Sequence, residues 1–242
     1  MRYGIFSDVH SNEAALAAVA AALRDDGVDR VLCAGDLVGY AAAPEPCVEQ
    51  ARALAHAVVA GNHDWAAVGR CDAAGFHDDA RAALAWTTPR LSAATAQYLA
   101  GLPLTWRDEQ VTMAHGTLHE PDRFHYLLET DAAARSLALQ TTPVAVVGHT
   151  HVPVAFAVDA DGEVRLLRGP RIEIQRGRRY LVNAGSVGQP RDQDPRACYV
   201  LYDTAARALE FKRVPYPVAR TQHAIRAAGL PARCADRLAF GG

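Results

Sequence analysis

A chain of 242 residues that is 50% hydrophobic and 21% charged can bury one large core, and it has no low-complexity stretch to suggest disorder. The formal net charge of -2, with scattered arginines and Lys212 as the sole lysine, gives no basic block of the kind that binds nucleic acid or a membrane surface. Cys33, Cys47, Cys71, Cys198 and Cys234 form no CxxC pair, which argues against a thiolate zinc or redox site and fits a reducing compartment.

In chain order, the first half alternates short apolar runs with helical patterns, as a sheet with crossover helices does. Residues 2–7 read as a first strand. Ser11 or Asn12 caps a helix whose Leu16, Val19, Ala20 and Leu23 recur at helical spacing until Gly27 stops it. A strand over 29–34, a helix from Pro44 to Leu54 and a third strand from His56 to Ala60 follow, then helices near 78–87 and 92–100. From Leu104 strands dominate: 104–106, 110–114, 144–147, 153–158, 163–168, 179–183, 198–203 and 208–214, with a helix near 130–140. Turn signals such as Asp161-Gly162 join the later strands as hairpins. A last amphipathic helix over 217–228 directs Val218, Ile225 and Ala228 to one side, either over the sheet or against a partner subunit. No linker cuts the chain, so one domain over 1–242 is expected. No apolar run approaches the roughly 20 residues of a membrane span, and the N-terminus has no signal-peptide core, so the expected location is cytoplasmic.

Chemistry-bearing residues follow five of these strands. Asp8-Val9-His10 comes after the first, Gly35-Asp36 after the second and Gly61-Asn62-His63-Asp64 after the third. His115-Gly116 and Gly148-His149-Thr150-His151 come after two later ones. Carboxyl ends of strands are where open α/β sheets place their sites, so the five blocks should converge on one crevice. Carboxylate, imidazole and one amide oxygen make a donor set hard enough for Mn or Fe and nitrogen-rich enough for Zn, without the thiolates of a structural zinc site. Residues two apart on an extended segment face the same way, so Asp8 with His10, and His149 with His151, should each reach one site. The glycines beside these residues should allow sharp turns and close approach of a ligand.

These blocks, in this order across residues 8–151, resemble the calcineurin-like metallophosphoesterase family. The segment Asn183-Ala184-Gly185-Ser186-Val187-Gly188-Gln189-Pro190-Arg191 is similar to one found in its small bacterial phosphodiesterase-like branch. The resemblance implies a four-layer αββα sandwich of two mixed sheets flanked by helices, and a centre of two divalent ions, drawn from Mn, Fe, Zn or Ni. It implies that Asp8, His10, Asp36 and His151 hold one ion, and that Asp36, Asn62, His115 and His149 hold the other. Asp36 bridges them, His63 protonates the leaving oxygen, and Asp64 is an orienting neighbour. Two such ions share a hydroxide and clamp the phosphoryl oxygens for in-line attack.

The substrate is narrower. Gly35-Asp36 is followed by Leu37-Val38-Gly39-Tyr40 and not by the Asp-Arg-Gly of serine/threonine protein phosphatases, so the arginine that grips a phosphoprotein is missing. The retained His63 leaves monoesters and diesters open. A phosphodiesterase or pyrophosphohydrolase on a small phosphorylated or nucleotide-like substrate is the first expectation; a protein phosphatase and a non-catalytic metal-binding scaffold or sensor are the alternatives. Arg191 and Arg123 suit a substrate phosphate by residue type, since a guanidinium forks onto its oxygens, but no substrate-binding residue is assigned. Trp65 is expected in packing or along the cleft, and His119 and His125 on the surface or in packing, close enough after His115 to edge the pocket.

Overall fold

A computed structural model describes residues 1–159 and 161–242. The chain opens with β1 (Arg2–Phe6), α1 (Glu13–Asp25), β2 (Arg30–Cys33), α2 (Pro44–Leu54) and β3 (Ala57–Val58), followed by α3 (Asn62–Ala67), α4 (Asp78–Thr87) and α5 (Ala93–Gly101). The strand-rich part comprises β4 (Thr105–Arg107), β5 (Val111–Ala114), α6 (Thr130–Leu139), β6 (Val144–Val147), β7 (Val154–Val158), β8 (Val164–Leu167), β9 (Arg171–Glu173) and β10 (Tyr180–Asn183). It ends with β11 (Ala197–Asp203), β12 (Ala208–Val214), α7 (Val218–Ala227) and α8 (Ala232–Asp236).

Local chemistry explains the main boundaries. The Asn12 side chain accepts from the Ala15 N–H at 3.2 Å and starts α1. Pro44 begins α2, where its missing N–H costs nothing. Ser92 caps α5 by accepting from the Thr95 N–H at 3.1 Å. The β7–β8 hairpin closes through Gly162, whose φ of 83° and N–H bond to Asp159 O realise the Asp161-Gly162 turn.

The strands form two mixed six-stranded sheets, ordered β3-β2-β1-β11-β12-β9 and β4-β5-β6-β10-β7-β8. In the first, β1, β2 and β3 are parallel; in the second, β5, β6 and β10 are. The strand period of two separates the cores: Val144 and Val146 of β6 join Tyr3, Ile5, Val200 and Val182 between the sheets. Ala145 and Val147 instead pack with Ala133 and Leu137 of α6. On the other outer face, Phe6 and Tyr199 pack with Leu16, Val19 and Leu23 of α1. Helix, sheet, sheet and helix therefore stack as the expected αββα sandwich, each buried Val, Leu or Ile contributing roughly 1.5–3 kcal/mol.

Three elements depart from the sequence reading. β9 is a three-residue edge strand paired only with β12, too short to show alternation. Helix α3 begins at Asn62 itself, so the third metal-type block lies on a helix start and not on an open loop. α7 realises the helix expected over 217–228, but a further short helix, α8, follows it, with Gly229 at φ 70° between them. Among the described residues no helix is long and apolar enough to cross a membrane, and all five cysteines are free thiols.

Candidate metal centre

The two parallel strand triplets place their carboxyl ends together. Asp8 and His10 leave β1, Asp36 leaves β2, Asn62 and His63 open α3 just beyond β3, His115 leaves β5, and His149 and His151 leave β6. All eight side chains are buried, and donor atoms from seven of them form three overlapping clusters. These are Asp8 with His10 and His151, Asp36 with His115 and His149, and His10 with Asp36 and His63. Asn62 joins the second group, its Oδ1 lying 3.1 Å from His115 Nε2.

The imidazole orientations fit a cluster able to hold cations. His10 Nδ1 donates to Val38 O at 3.0 Å, His115 Nδ1 to Ala34 O at 2.7 Å and His151 Nδ1 to Gln189 O at 2.6 Å. A carbonyl only accepts, so Nδ1 donates and each ring turns its Nε2 inward. There the inward nitrogens crowd on one another and on the two carboxylates. His10 Nε2 and His151 Nε2 are 3.0 Å apart, and His115 Nε2 lies 3.2 Å from His149 Nδ1. Asp8 Oδ1 is 3.2 Å from His151 Nε2, and Asp36 Oδ2 is 3.2 Å from His115 Nε2 and 3.6 Å from His10 Nε2. Asp36 Oδ2 is buried without a hydrogen-bond partner. Acceptors crowded on acceptors repel unless cations sit among them, and ligands roughly 2.0–2.1 Å from one ion stand about 3.0–3.5 Å apart. The observed separations fit that requirement, and the donor set suits Mn, Fe, Zn or Ni.

Electrostatics agree. Burial opposes charge on Asp8 and Asp36, yet the surrounding imidazoles hold both well below the usual carboxylate range. Burial, followed by neighbouring cationic groups, pushes His149 down to about 3 and His151 to about 4, so both rings are neutral at pH 7 and able to offer a lone pair. His115 moves the other way: burial disfavours its charge, but Asp36 and Asp8 raise it to about 9. In the absence of a cation, His115 thus takes up the proton that the two carboxylates demand.

The backbone is strained here. Asp8, His10, Asp36, His149 and His151 all adopt left-handed φ values between 48° and 68°, a conformation costing roughly 1–2 kcal/mol each. Asp8 and His10 reach one site as expected, but through left-handed turns and not an extended segment, and the expectation fails for the second pair. His149 and His151 do not share a direction: the left-handed turns send His149 towards His115 and His151 towards His10. Of the neighbouring glycines, Gly35 supplies a turn at φ 96°. Gly148 acts by close approach, since a Cβ there would lie 2.0 Å from Ser7 Oγ.

Asp64 does not serve as the neighbour orienting His63. Its carboxylate accepts from the backbone N–H groups of Asp36 (2.9 Å), Leu37 (2.8 Å), Val38 (3.2 Å) and Gly61 (3.0 Å), tying the loop after β2 to the start of α3. The His63 N–H donates to Asp36 Oδ1 at 2.9 Å, which leaves Oδ2 facing the imidazoles. The His63 ring lies against Tyr40 and Phe76, each 4.8 Å away between centroids, and its Nδ1 is buried against Gly39 without a partner. Burial pushes His63 well below its ordinary value.

A cleft of about 460 Å³ opens over His63, Asn62 and His149, lined by Tyr40, Phe76, Phe124, Tyr126, Arg123 and His77 among others. Trp65 lies behind it, buried edge-on to Phe124. His119 and His125 stack on each other and share Glu120 beyond the cleft wall. Tyr126, stacked 4.0 Å from His149, carries no sequence signal. The supporting residues of the 183–191 segment did carry one. Asn183 Nδ2 donates to Thr150 Oγ1 at 2.8 Å, and Ser186 Oγ to Asp8 O at 2.8 Å.

A family model described as the calcineurin-like phosphoesterase superfamily domain matches residues 1–207. The chain is 42% identical to a metallophosphoesterase from Sphaerobacter thermophilus, with a TM-score of 0.87 covering 100% of this chain and 99% of that one. It is 32% identical over 241 residues to the uncharacterized protein MJ0912 of Methanocaldococcus jannaschii, covering 98% of this chain and 97% of the relative. Hypothetical protein PH1004 from Pyrococcus horikoshii OT3 shares the fold, with 18% identity and a TM-score of 0.78 covering 100% and 98% of the two chains. The protein belongs to the calcineurin-like phosphoesterase family and is a metal-dependent hydrolase of phosphate esters.

Proposed function

We propose that this enzyme is a phosphodiesterase or pyrophosphohydrolase for a small nucleotide-like substrate. In this reading Asp8, His10, Asp36 and His151 hold one divalent cation, and Asp36, Asn62, His115 and His149 hold a second. The observation that carries it is the inward meeting of ring nitrogens, His10 Nε2 with His151 Nε2 at 3.0 Å and His115 Nε2 with His149 Nδ1 at 3.2 Å, around the unpartnered Asp36 Oδ2. When bound, two cations lower the pKa of a water nucleophile and neutralise charge on the phosphoryl oxygens.

The chain supplies the rest. Asp36 is pre-set to be shared, with Oδ1 held by the His63 N–H and Oδ2 between the two groups of imidazoles. With Nδ1 buried, His63 reaches substrate through Nε2. Its neutral resting state means the phosphoryl charge of the substrate must favour the protonated ring before Nε2 donates to the leaving oxygen. Tyr40 and Phe76 fix the ring plane, and the aromatic cleft walls suit a planar base.

The test is turnover of bis-p-nitrophenyl phosphate and p-nitrophenyl phosphate by chelator-stripped protein, with Mn²⁺, Ni²⁺, Zn²⁺ or Mg²⁺ returned singly. Metal-restored hydrolysis favouring the diester supports the reading. Restoration of monoester turnover alone rejects the phosphodiesterase assignment, and no restoration of either with two ions bound rejects catalysis.

A further inference from the structure

Two arginines beside the centre have no Asp or Glu partner among the described residues. Arg191 Nη2 donates to Gln189 Oε1 at 2.9 Å, and Arg237 Nη1 approaches the same oxygen at 3.3 Å. Among the described residues neither guanidinium pairs with an Asp or Glu side chain, whereas Arg2, Arg30, Arg196 and Arg213 all do. Arg191 Nε is buried without a partner. Beyond that shared amide oxygen, Arg191 Nη2 reaches the Tyr40 hydroxyl at 3.3 Å and Arg237 Nε donates to Gly242 O, so among the described residues no Asp or Glu carboxylate offsets either charge. Burial and the nearby Arg191 accordingly push Arg237 below its ordinary value.

The pair is coupled to the centre through Gln189 and Tyr40. The Gln189 backbone carbonyl accepts from His151 Nδ1, so one residue supports both a metal-type imidazole and the arginines. The Arg191 guanidinium sits 5.7 Å from the Tyr40 ring centre, and that ring is 4.7 Å from His10 and 4.8 Å from His63. Arg237 arrives from the C-terminal stretch, beyond the region matched by the family model. It is placed there by docking of the chain end: Gln193 N–H donates to Gly241 O at 2.7 Å, and Arg237 Nε to Gly242 O. Gly241 has φ 64°, and a Cβ there would fall 2.6 Å from the Asp194 carbonyl, so only glycine permits this docking.

We propose that Arg191 and Arg237 form a second anion subsite, which receives the phosphoryl group next to the one attacked and makes a polyphosphate chain the substrate class. This deepens, and rests on, the hydrolytic reading above. Hydrolysis of a P–O–P bond joins the water oxygen to one phosphorus while the bridging oxygen departs with its electron pair on the other. The water's protons go to solvent or, through His63, to that leaving oxygen. The departing phosphate gains negative charge during cleavage, and two guanidiniums placed beyond the centre meet that charge.

The experiment compares kcat/KM for a dinucleoside polyphosphate with that for bis-p-nitrophenyl phosphate, which has no second anion. In Arg191→Gln and Arg237→Gln the ratio of the two falls by about tenfold or more, with partial recovery in Arg237→Lys. Arg226→Gln, whose guanidinium pairs with Asp236 elsewhere in the C-terminal segment, keeps the parent ratio. Equal losses on both substrates, or an unchanged ratio in folded variants, overturn the subsite. A second measurement is independent of turnover: calorimetric binding of inorganic tripolyphosphate to the chelator-stripped protein. Binding that weakens by about tenfold in Arg237→Gln supports the subsite even if the parent hydrolyses nothing, in which case only the hydrolytic reading falls. Absent or unaltered binding overturns the subsite.

Discussion

The buried Asp64 carboxylate holds the Asp36 backbone N–H at 2.9 Å, so the residue proposed to bridge two cations is positioned by a side chain that contacts neither metal group. Asp64→Ala strands four buried N–H donors and is expected to cost at least about 3 kcal/mol. Denaturant unfolding of chelator-stripped protein measures this without interference from metal affinity. Asp64→Asn, which keeps the shape and one acceptor oxygen, falls between. A loss under about 1 kcal/mol in the alanine variant contradicts the bracing role.

Stability of the stripped protein depends on pH in both directions. The unfolded chain protonates His149 and His151 below about 6.5, while the folded protein resists until about 3 and about 4, respectively, so stability declines as pH falls from about 6.5 towards 4. His115, raised to about 9 in the fold, contributes stability that is complete below about 6.5 and is lost as pH rises through 9. Thermal melting of stripped protein therefore peaks near pH 6.5. A Tm that climbs steadily from pH 5 to 9 contradicts the assigned proton positions.

His63→Ala is expected to leave metal content unchanged while slowing hydrolysis of esters with poor leaving groups by about 10²–10⁴-fold. The loss is smaller for p-nitrophenyl esters, whose leaving oxygen needs little help from a proton. Rates over a series of leaving groups read this directly, and a uniform loss across the series removes the acid role.

Much of the site was legible because its residues follow apolar strands whose parallel arrangement brings their ends together. The spacing did not reveal how His149 and His151 diverge, because that depends on left-handed backbone at φ 68° and 62°. Nor could periodicity mark α3, a six-residue helix whose buried residues Asn62, His63 and Asp64 are polar. Asp64 read as a partner for His63, and its actual span to Leu37 and Val38 is a tertiary relation. Arg237 was invisible for the same reason: it meets Gln189 across 48 positions of sequence through the docked chain end.

Sharing of Asp36 has its own signature. Asp36→Asn keeps the size of the side chain but removes the charge that both metal groups face, so both cations should weaken by about tenfold or more and turnover should collapse. Loss of one ion with the other retained at parent affinity points instead to a carboxylate serving a single site.

The most direct measurement is the number of Mn²⁺ ions bound per chain, titrated into stripped protein with turnover of bis-p-nitrophenyl phosphate followed in parallel. Two ions per chain, with hydrolysis appearing as the second binds, is the predicted result. Full turnover with one ion, or in the continued presence of chelator, contradicts a centre built on two cations.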